Sequence, residues 1–230
     1  DNLIGSEENV HYAMLQRENI ENVLLIGGGV SGMLREILKY SSVKHLDYVE
    51  LNPRLIKIAS EYQEIPVDRR INLVPEDGKR WLIKSSTMYD AAIFAIPDPS
   101  SFQINRFYTD EFLKILRNRL NPDAVVLFSH SPSGNYVSPE MAKIEGVIYN
   151  TLRKNFRYVE IIPGDRDYFI SSDSTVTNQV AQLPVIRRIE NIYVNQYYID
   201  DLSIRQRSDY VKKRIGNENI LNSDLKPVPV

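Results

Sequence analysis

A cluster of glycines directly after an apolar stretch constrains this 230-residue chain more than any other feature. The stretch "NVLLIGGG" at 22–29 is rich in Leu and Val and ends in Gly27, Gly28 and Gly29, and helical sequence follows at 31–41. Glycine readily adopts positive φ and lets another group approach the backbone closely. The start of the following helix also exposes N–H groups that bind anions. The stretch therefore predicts either a tight strand-to-helix turn or a nucleotide-binding loop.

Strand-like and helix-like stretches alternate along most of the remaining chain. Strand-like sequence is found at 22–29, 45–52, 71–77, 89–96, 124–130, 158–164 and 167–173. Helical sequence is found at 31–41, 53–62, 78–84, 105–119 and 139–156. Alternation of this kind is typical of a parallel sheet with helices on both faces. The last two strands are joined by a short turn and predict an antiparallel hairpin. We therefore expect an α/β protein with a seven-stranded, mostly parallel, Rossmann-like methyltransferase fold.

The two ends of the chain differ from this alternating region. Residues 1–20 form an N-terminal segment, and residues 21–175 form the expected nucleoside-binding domain. Residues 176–230 begin with a polar, Pro-containing link and continue as Tyr- and Arg-rich helical sequence. Basic residues interleaved with aromatic ones can bind RNA. Acidic residues dilute this charge, however, and a helical C-terminal extension that covers the sheet or a second subunit explains the pattern better. We expect no nucleic-acid partner.

Composition excludes several kinds of chemistry. The chain has no Cys, which excludes disulfides, thiolate metal sites and a Cys nucleophile. Its three His residues are scattered without zinc-site spacing, so we expect no metal. The net charge of −2 gives no general attraction to nucleic acid or anionic lipid. The apolar run at 91–96 is too short to span a bilayer, and no signal-peptide pattern is found. These features indicate a cytoplasmic location.

Glycine or acidic residues stand where the first three predicted strands end. Ligands of an open parallel sheet bind at the carboxyl ends of its strands. The glycines at 27–29 and Gly32 form the loop, and Glu50 follows about 20 residues later, where an acid binds ribose hydroxyls. Asp77 and Gly78 end the third strand, where a carboxylate can accept the exocyclic amine of adenine. Together these residues predict adenosine binding. The loop also matches the G-x-G-x-x-G spacing, which leaves NAD open as a ligand.

Three ordered motifs resemble those of the spermidine synthase family of aminopropyltransferases. They are "NVLLIGGGVSGMLREILKYSSVKHLDYVELNPRLIKIA", "EDGKRW" and "PDPSSFQINRFYTDEF", and the similarity covers residues 7 to 173. The chain looks most like a divergent branch that is often fused to membrane-spanning segments. The resemblance implies an adenosyl co-substrate of the decarboxylated S-adenosylmethionine type, a small-molecule amine acceptor and a homodimer. It also implies a cytoplasmic domain attached to membrane segments outside this chain.

By this resemblance, the chain retains the acids that bind the nucleoside but has lost two of the acids that take part in the reaction. Glu50 matches the ribose-binding acid of the family, and Asp77 matches its adenine-binding acid. The two reactive positions that carry Asp in the family are apolar in this chain: Val30 replaces the donor-amine Asp and Ala95 replaces the general base. A polyamine is cationic, and an ammonium group against apolar side chains costs several kcal/mol of desolvation. We therefore expect ordinary putrescine aminopropylation to be impaired.

Two residues are the candidates for any chemistry that this chain keeps. Asp98, held between two prolines, matches an acid that helps to bind the acceptor in the family. His11 occupies the position of a tyrosine that lines the diamine channel, and it could act as a base together with Asp98.

Three functions are compatible with this pattern. The first is a spermidine-synthase-like transferase with an altered acceptor or reduced activity. The second is a methyltransferase that uses intact S-adenosylmethionine, whose carboxylate would bind the loop N–H groups left free by Val30 and Ser31. The third is a non-catalytic ligand-binding domain of a membrane protein.

Overall fold

A computed structural model describes residues 2–132, 137–215 and 220–228 of the chain. These residues contain a seven-stranded sheet with the order β3-β2-β1-β4-β5-β7-β6. The strands are β1 (Asn22–Ile26), β2 (His45–Val49), β3 (Ile71–Val74), β4 (Tyr89–Phe94), β5 (Leu120–His130), β6 (Tyr158–Pro163) and β7 (Asp167–Ser172). The first five strands are parallel, and β7 runs antiparallel to both β5 and β6. The predicted fold and its terminal hairpin are therefore confirmed.

Nine helices surround the sheet within the described ranges. They are α1 (Leu3–Met14), α2 (Met33–Leu38), α3 (Pro53–Glu61), α4 (Gly78–Lys84), α5 (Phe102–Asn105), α6 (Asp110–Arg117), α7 (Pro139–Asn155), α8 (Leu183–Arg187) and α9 (Asp201–Ile215). No helix in this part of the chain is both long enough and apolar enough to cross a lipid bilayer.

The central strands are buried on both faces, as their continuous apolar sequence predicts. Val23 and Leu25 of β1 face a core that also contains residues of α1 and α2. Leu24 and Ile26 face the opposite core, which α4, α6, α7 and α9 complete. The sheet is therefore fixed from both sides, and the loops at the carboxyl ends of β1–β4 are built on a rigid base.

The predicted N-terminal segment forms a helix that packs into the main core. Helix α1 contacts β4, β5 and α2. Its Glu7 is fully buried, and the carboxylate accepts hydrogen bonds from three backbone N–H groups, of Ile192 (2.8 Å), Tyr193 (2.6 Å) and Val194 (3.2 Å). Three such bonds satisfy a buried carboxylate. They also tie the first helix of the chain to its C-terminal extension.

The predicted helix at 105–119 is interrupted in the structure. Residues 106–108 form a 3₁₀ turn after α5, and Thr109 adopts an extended conformation before α6 begins. The Thr109 hydroxyl accepts the Phe112 N–H at 3.3 Å, so Thr109 is the N-cap of α6. Helix α6 also ends at Arg117, and β5 starts at Leu120 rather than at 124. The prediction of one continuous helix is therefore wrong at its start and too long at its end.

Candidate nucleoside-binding site

The glycine loop after β1 requires glycine for two separate reasons. Gly27, Gly28 and Gly32 have φ angles of +73°, +68° and +105°, in the left-handed region that other residues rarely adopt. Gly29 does not have positive φ, but a Cβ atom there would lie 2.4 Å from the ring of the buried Tyr48. The loop conformation and its packing on β2 therefore both exclude larger side chains.

A cavity of about 240 Å³ lies where β1, β2, β3 and β4 end. It is lined by five of the seven predicted cofactor-binding residues, namely Gly27, Gly28, Glu50, Asp77 and Gly78. Gly29 and Gly32 do not line it. Apolar walls are provided by Ile26, Val49, Leu51, Ala95, Ile96, Pro97, Ile104 and Phe107. Apolar walls with a few convergent polar groups are typical of small-molecule sites.

Glu50 is held at the cavity wall by its own strand and turn. One carboxylate oxygen accepts the Asn52 N–H at 2.9 Å, and the other accepts the Tyr48 hydroxyl at 3.3 Å. Burial raises the pKa of Tyr48, and the neighbouring Glu50 carboxylate raises it further, so the phenol stays protonated and donates. Each carboxylate oxygen has a second lone pair that can accept a ligand hydroxyl.

Asp77 is anchored between the start of a helix and a cation. As the N-cap of α4, its carboxylate accepts the Arg80 N–H at 3.1 Å, and it also forms an ion pair with the Arg106 guanidinium. Arg106 also lines the cavity. Arg106 belongs to the third quoted motif, but no local sequence pattern marks it as a site residue. Its pairing with an acid 29 positions earlier depends on how the 3₁₀ turn packs over α4.

Asp98 lies at the rim formed by the segment after β4 and the end of β5. Its carboxylate accepts the Ser131 N–H at 3.1 Å and the Ser131 hydroxyl, and it pairs with Arg166 at 2.6 Å. Burial raises the pKa of Asp98, but the Ser131 hydrogen bond and the hydrogen bond and charge of Arg166 outweigh it, so the pKa is lower than usual. The pKa of His130 is lower than usual, and burial is the largest cause of this shift. Asp98 is therefore an ionised, well-partnered carboxylate.

The two apolar replacements, Val30 and Ala95, are half-buried and pack against the core beneath the loop. Ala95 also lines the cavity. Ala95 is closely packed, because a Cβ atom on Gly28 would lie 2.5 Å from the Ala95 methyl group. Of the two positions that the family resemblance assigns to carboxylates, Ala95 therefore gives the cavity an apolar wall beside β4, whereas Val30 does not line the cavity.

His11 and Asp98 do not form the predicted catalytic base pair. His11 is fully buried, with its Nδ1 2.8 Å from the Tyr40 hydroxyl and its Nε2 3.0 Å from Glu36. Both ring nitrogens are engaged because α1 packs directly on α2. The pairing is therefore wrong, and the structure places His11 in a buried polar network.

Glu7, His11 and Glu36 bring their ligand-type atoms within 4.8 Å of one another. Each already has protein partners: Glu7 binds three backbone N–H groups, and Glu36 pairs with Lys39 at 2.5 Å as well as with His11. The Lys39 ammonium supplies positive charge beside this cluster. The arrangement is thus a satisfied hydrogen-bond network that joins α1 to α2.

The sheet order, the glycine loop and the acids at successive strand ends define a class, the Rossmann-like nucleoside-binding domains of methyltransferases and aminopropyltransferases. The model of the spermine/spermidine synthase domain family matches residues 3–163, and the chain belongs to this family. The predicted family membership is therefore confirmed. The family match includes α1, all the strands up to β6 and every residue that lines the cavity.

Curated relatives include several polyamine aminopropyltransferases. The protein from Sulfolobus acidocaldarius is 27% identical over 99% of this chain and 80% of its own length. One from Bacillus cereus is 31% identical over 81% of this chain and 54% of its own length. One from Oceanobacillus iheyensis is 33% identical over 51% of this chain but only 24% of its own length. The chain thus spans between a quarter and four-fifths of these relatives.

Solved structures support the same fold. A spermidine synthase in complex with the transition-state analogue AdoDATO has a TM-score of 0.76 and 22% identity, over 95% of this chain and 77% of its own. Human methyltransferase-like protein 13 in complex with SAH has a TM-score of 0.58 and 12% identity, over 94% of this chain and 91% of its own. The fold is therefore shared by aminopropyltransferase-type and methyltransferase-type proteins.

Proposed function

We propose that this chain is the nucleoside-binding domain of a spermidine-synthase-like transferase. It binds an adenosyl co-substrate of the decarboxylated S-adenosylmethionine or methylthioadenosine type, and its acceptor differs from putrescine. The observation that carries the proposal is the cavity at the ends of β1–β4, which Glu50 and Asp77 line together with Gly27 and Gly28 of the glycine loop. The proposal extends to a small-molecule amine acceptor and to a homodimer in the cytoplasm.

In this proposal Glu50 binds the ribose hydroxyls, and Asp77 accepts the adenine amine beside Arg106. The N–H groups of the loop and the apolar walls at Ile96 and Phe107 complete the contacts to the nucleoside. Because the loop carries Val30 rather than an acid, it offers no carboxylate for the donor's primary amine. Weak or altered transfer follows from this loss, since the donor amine is left without its ionic partner.

The same absence of charge supports intact S-adenosylmethionine as a second candidate co-substrate. The carboxylate of S-adenosylmethionine would be repelled by an acid at position 30, whereas Val30 leaves the adjoining N–H groups free of that repulsion. A methyl-transfer function is favoured over aminopropyl transfer if the protein binds the carboxylated donor more tightly.

Isothermal titration with methylthioadenosine, decarboxylated S-adenosylmethionine and S-adenosylmethionine tests the proposal on one protein preparation. We expect methylthioadenosine to bind, because it carries the adenosine part without either charged tail. Tighter binding of the intact donor than of the decarboxylated one would move the assignment to methyl transfer. Absence of binding for all three ligands up to about 1 mM, which corresponds to roughly −4 kcal/mol, would refute a nucleoside-binding function.

Substitution of Glu50 by Gln is expected to weaken methylthioadenosine binding by about tenfold or more. The substitution keeps the size of the side chain but replaces charge-assisted hydrogen bonds, which are worth about 1.5–3 kcal/mol, with neutral ones. The measurement is the dissociation constant of methylthioadenosine by titration. The matched control is Glu61→Gln, which removes the same charge from a side chain that is 59% exposed on α3. Equal affinities of the Glu50 and Glu61 variants would contradict the ribose-binding role.

A further inference from the structure

The charge beside Asp98 decides what kind of acceptor this site can take. Asp98 is the carboxylate that the family resemblance assigns to acceptor binding, and the Arg166 guanidinium lies 2.6 Å from it. Arg166 comes from the turn between β6 and β7, 68 positions later in the chain. The ion pair therefore forms only because the antiparallel hairpin packs beside the end of β5.

Arg166 is held firmly in this position. Its Nη2 donates to Asp98 and, at 3.3 Å, to the Ser129 carbonyl, and its Nε donates to the Ser129 hydroxyl at 3.1 Å. The Ser129 residue is buried in β5, so these two bonds fix the guanidinium to the sheet. The side chains of Arg166 and Asp98 are 32% and 26% exposed, so both reach the solvent-accessible rim.

The pair leaves the Asp98 carboxylate itself unavailable to an ammonium group. Asp98 already accepts bonds from Ser131 and Arg166, and its positive partner cancels its charge. A dication brought against this pair would meet the guanidinium charge at close range, and the attraction of Asp98 would be offset by that like charge. A diamine would have to displace Arg166 before it could bind Asp98.

A second acid packs against the turn that carries Arg166, and it is only partly able to replace Asp98. Glu8 accepts the Tyr168 hydroxyl at 2.8 Å and the Tyr12 hydroxyl at 3.4 Å. Burial raises the pKa of Glu8, and the neighbouring Asp165 and Glu7 oppose its ionisation further, while the tyrosine hydrogen bonds favour it. Glu8 is thus a weaker anion than an exposed glutamate.

Arg166 faces solvent with a Nη1 group that makes no hydrogen bond to residues 2–132, 137–215 or 220–228.

We propose that Arg166 determines acceptor specificity by neutralising Asp98, so that the site selects an amine that also carries an anionic group and rejects a dicationic diamine. The Arg166 Nη1 would bind the anionic group, and the amine would lie toward the cavity. The inference rests on the proposed nucleoside site, because the acceptor is placed relative to that site.

Three molecules with the same four-carbon chain test this inference. They are 1,4-diaminobutane, 1-butylamine and 4-aminobutanoate, with net charges of +2, +1 and 0. Each is titrated by calorimetry into the protein saturated with methylthioadenosine. We expect the wild-type protein to bind 4-aminobutanoate at least tenfold more tightly than 1,4-diaminobutane. Substitution Arg166→Met frees Asp98 and is expected to reverse this order. Substitution Arg166→Lys keeps the positive charge and should keep the wild-type order.

The control variant is Arg157→Met, which removes an exposed arginine outside the site and should leave the order unchanged. Circular dichroism melting checks that each variant is folded. The inference is overturned if wild-type protein binds 1,4-diaminobutane as tightly as Arg166→Met does, and this includes the case in which neither binds it. Methylthioadenosine affinity is measured first in each protein. Loss of that binding in the wild type would refute the nucleoside-binding function itself, whereas normal nucleoside binding with an unaltered acceptor order would refute only the role of Arg166.

Discussion

Replacing Gly27 by alanine is expected to lower the free energy of unfolding by about 2–5 kcal/mol and to weaken methylthioadenosine binding by at least tenfold. The first contribution is conformational, because Gly27 has a φ of +73° and a left-handed conformation costs an L-residue about 1–2 kcal/mol. The second is steric, because the new Cβ atom would lie 2.7 Å from the Ala95 carbonyl oxygen. Overpacking of this kind costs about 1–3 kcal/mol.

The backbone around Gly27 has little freedom to relieve this contact. The Gly27 N–H donates to the Val49 carbonyl of β2 at 3.0 Å, and the Ala95 N–H donates to the Ile26 carbonyl at 3.0 Å. Moving either segment apart would break a hydrogen bond between central strands. Because Gly27 lines the cavity, the same movement would displace the surface that the nucleoside contacts.

Urea denaturation measures the stability change, and calorimetric titration measures the loss of affinity. Gly164→Ala is the matched control, because it introduces the same methyl group at a turn where the nearest atom would be 3.4 Å away and φ lies outside the left-handed region. We expect that control to change the free energy of unfolding by less than about 1 kcal/mol. A Gly27→Ala protein as stable as Gly164→Ala, with wild-type affinity, would show that the loop is only a connection between β1 and α2.

The sheet could be predicted from sequence because its signals are local. Residues 91–94 of the apolar run at 91–96 belong to β4, which is buried on both faces, and the glycines mark the end of β1. Glu50 and Asp77 could be assigned to one site because the ends of parallel strands meet at one edge of the sheet. These inferences need only the order of elements, and the cavity at the ends of β1–β4 brings the two acids together.

The charges that surround the acids could not be predicted in the same way. Arg106 contacts Asp77 across 29 positions, and Arg166 contacts Asp98 across 68. Neither pairing has a spacing that recurs in a helix or strand, so each depends on how turns pack on the sheet. His11 was assigned to a site although its surroundings could not be read from sequence. Its position matches a channel residue of the family, but the packing of α1 on α2 directs the ring toward Glu36 and Tyr40. A missed local signal is Thr109, which precedes two acidic residues and marks the start of α6.

Replacing Glu145 by glutamine is expected to stabilise the protein in alkaline solution, by at most about 5 kcal/mol at pH 8. Glu145 is fully buried on α7. Burial raises its pKa to about 9, and a hydrogen bond to Asp167 and the charge of that carboxylate also raise it, whereas Arg207 lowers it. The native protein therefore holds a proton on Glu145 that the unfolded chain releases above its ordinary pKa of 4.5.

This difference fixes the direction of the pH dependence. Below about pH 4.5 both states are protonated at Glu145, and its stabilising contribution is fully present. As the pH rises toward 9 the unfolded state binds fewer protons than the native state, so the free energy of unfolding falls. Each unit of pH in this range costs at most about 1.4 kcal/mol. Glutamine cannot ionise, and its amide can still donate a hydrogen bond to Asp167. The free energy of unfolding of the variant should therefore not fall with pH through this group.

Urea denaturation at pH 5, 6.5 and 8 separates this effect from a general change in stability. We expect the wild-type protein to lose stability steadily across the series relative to Glu145→Gln, while Glu64→Gln, which alters an exposed side chain, follows the wild type. A wild-type curve parallel to that of Glu145→Gln would mean that the carboxyl is ionised in the native state.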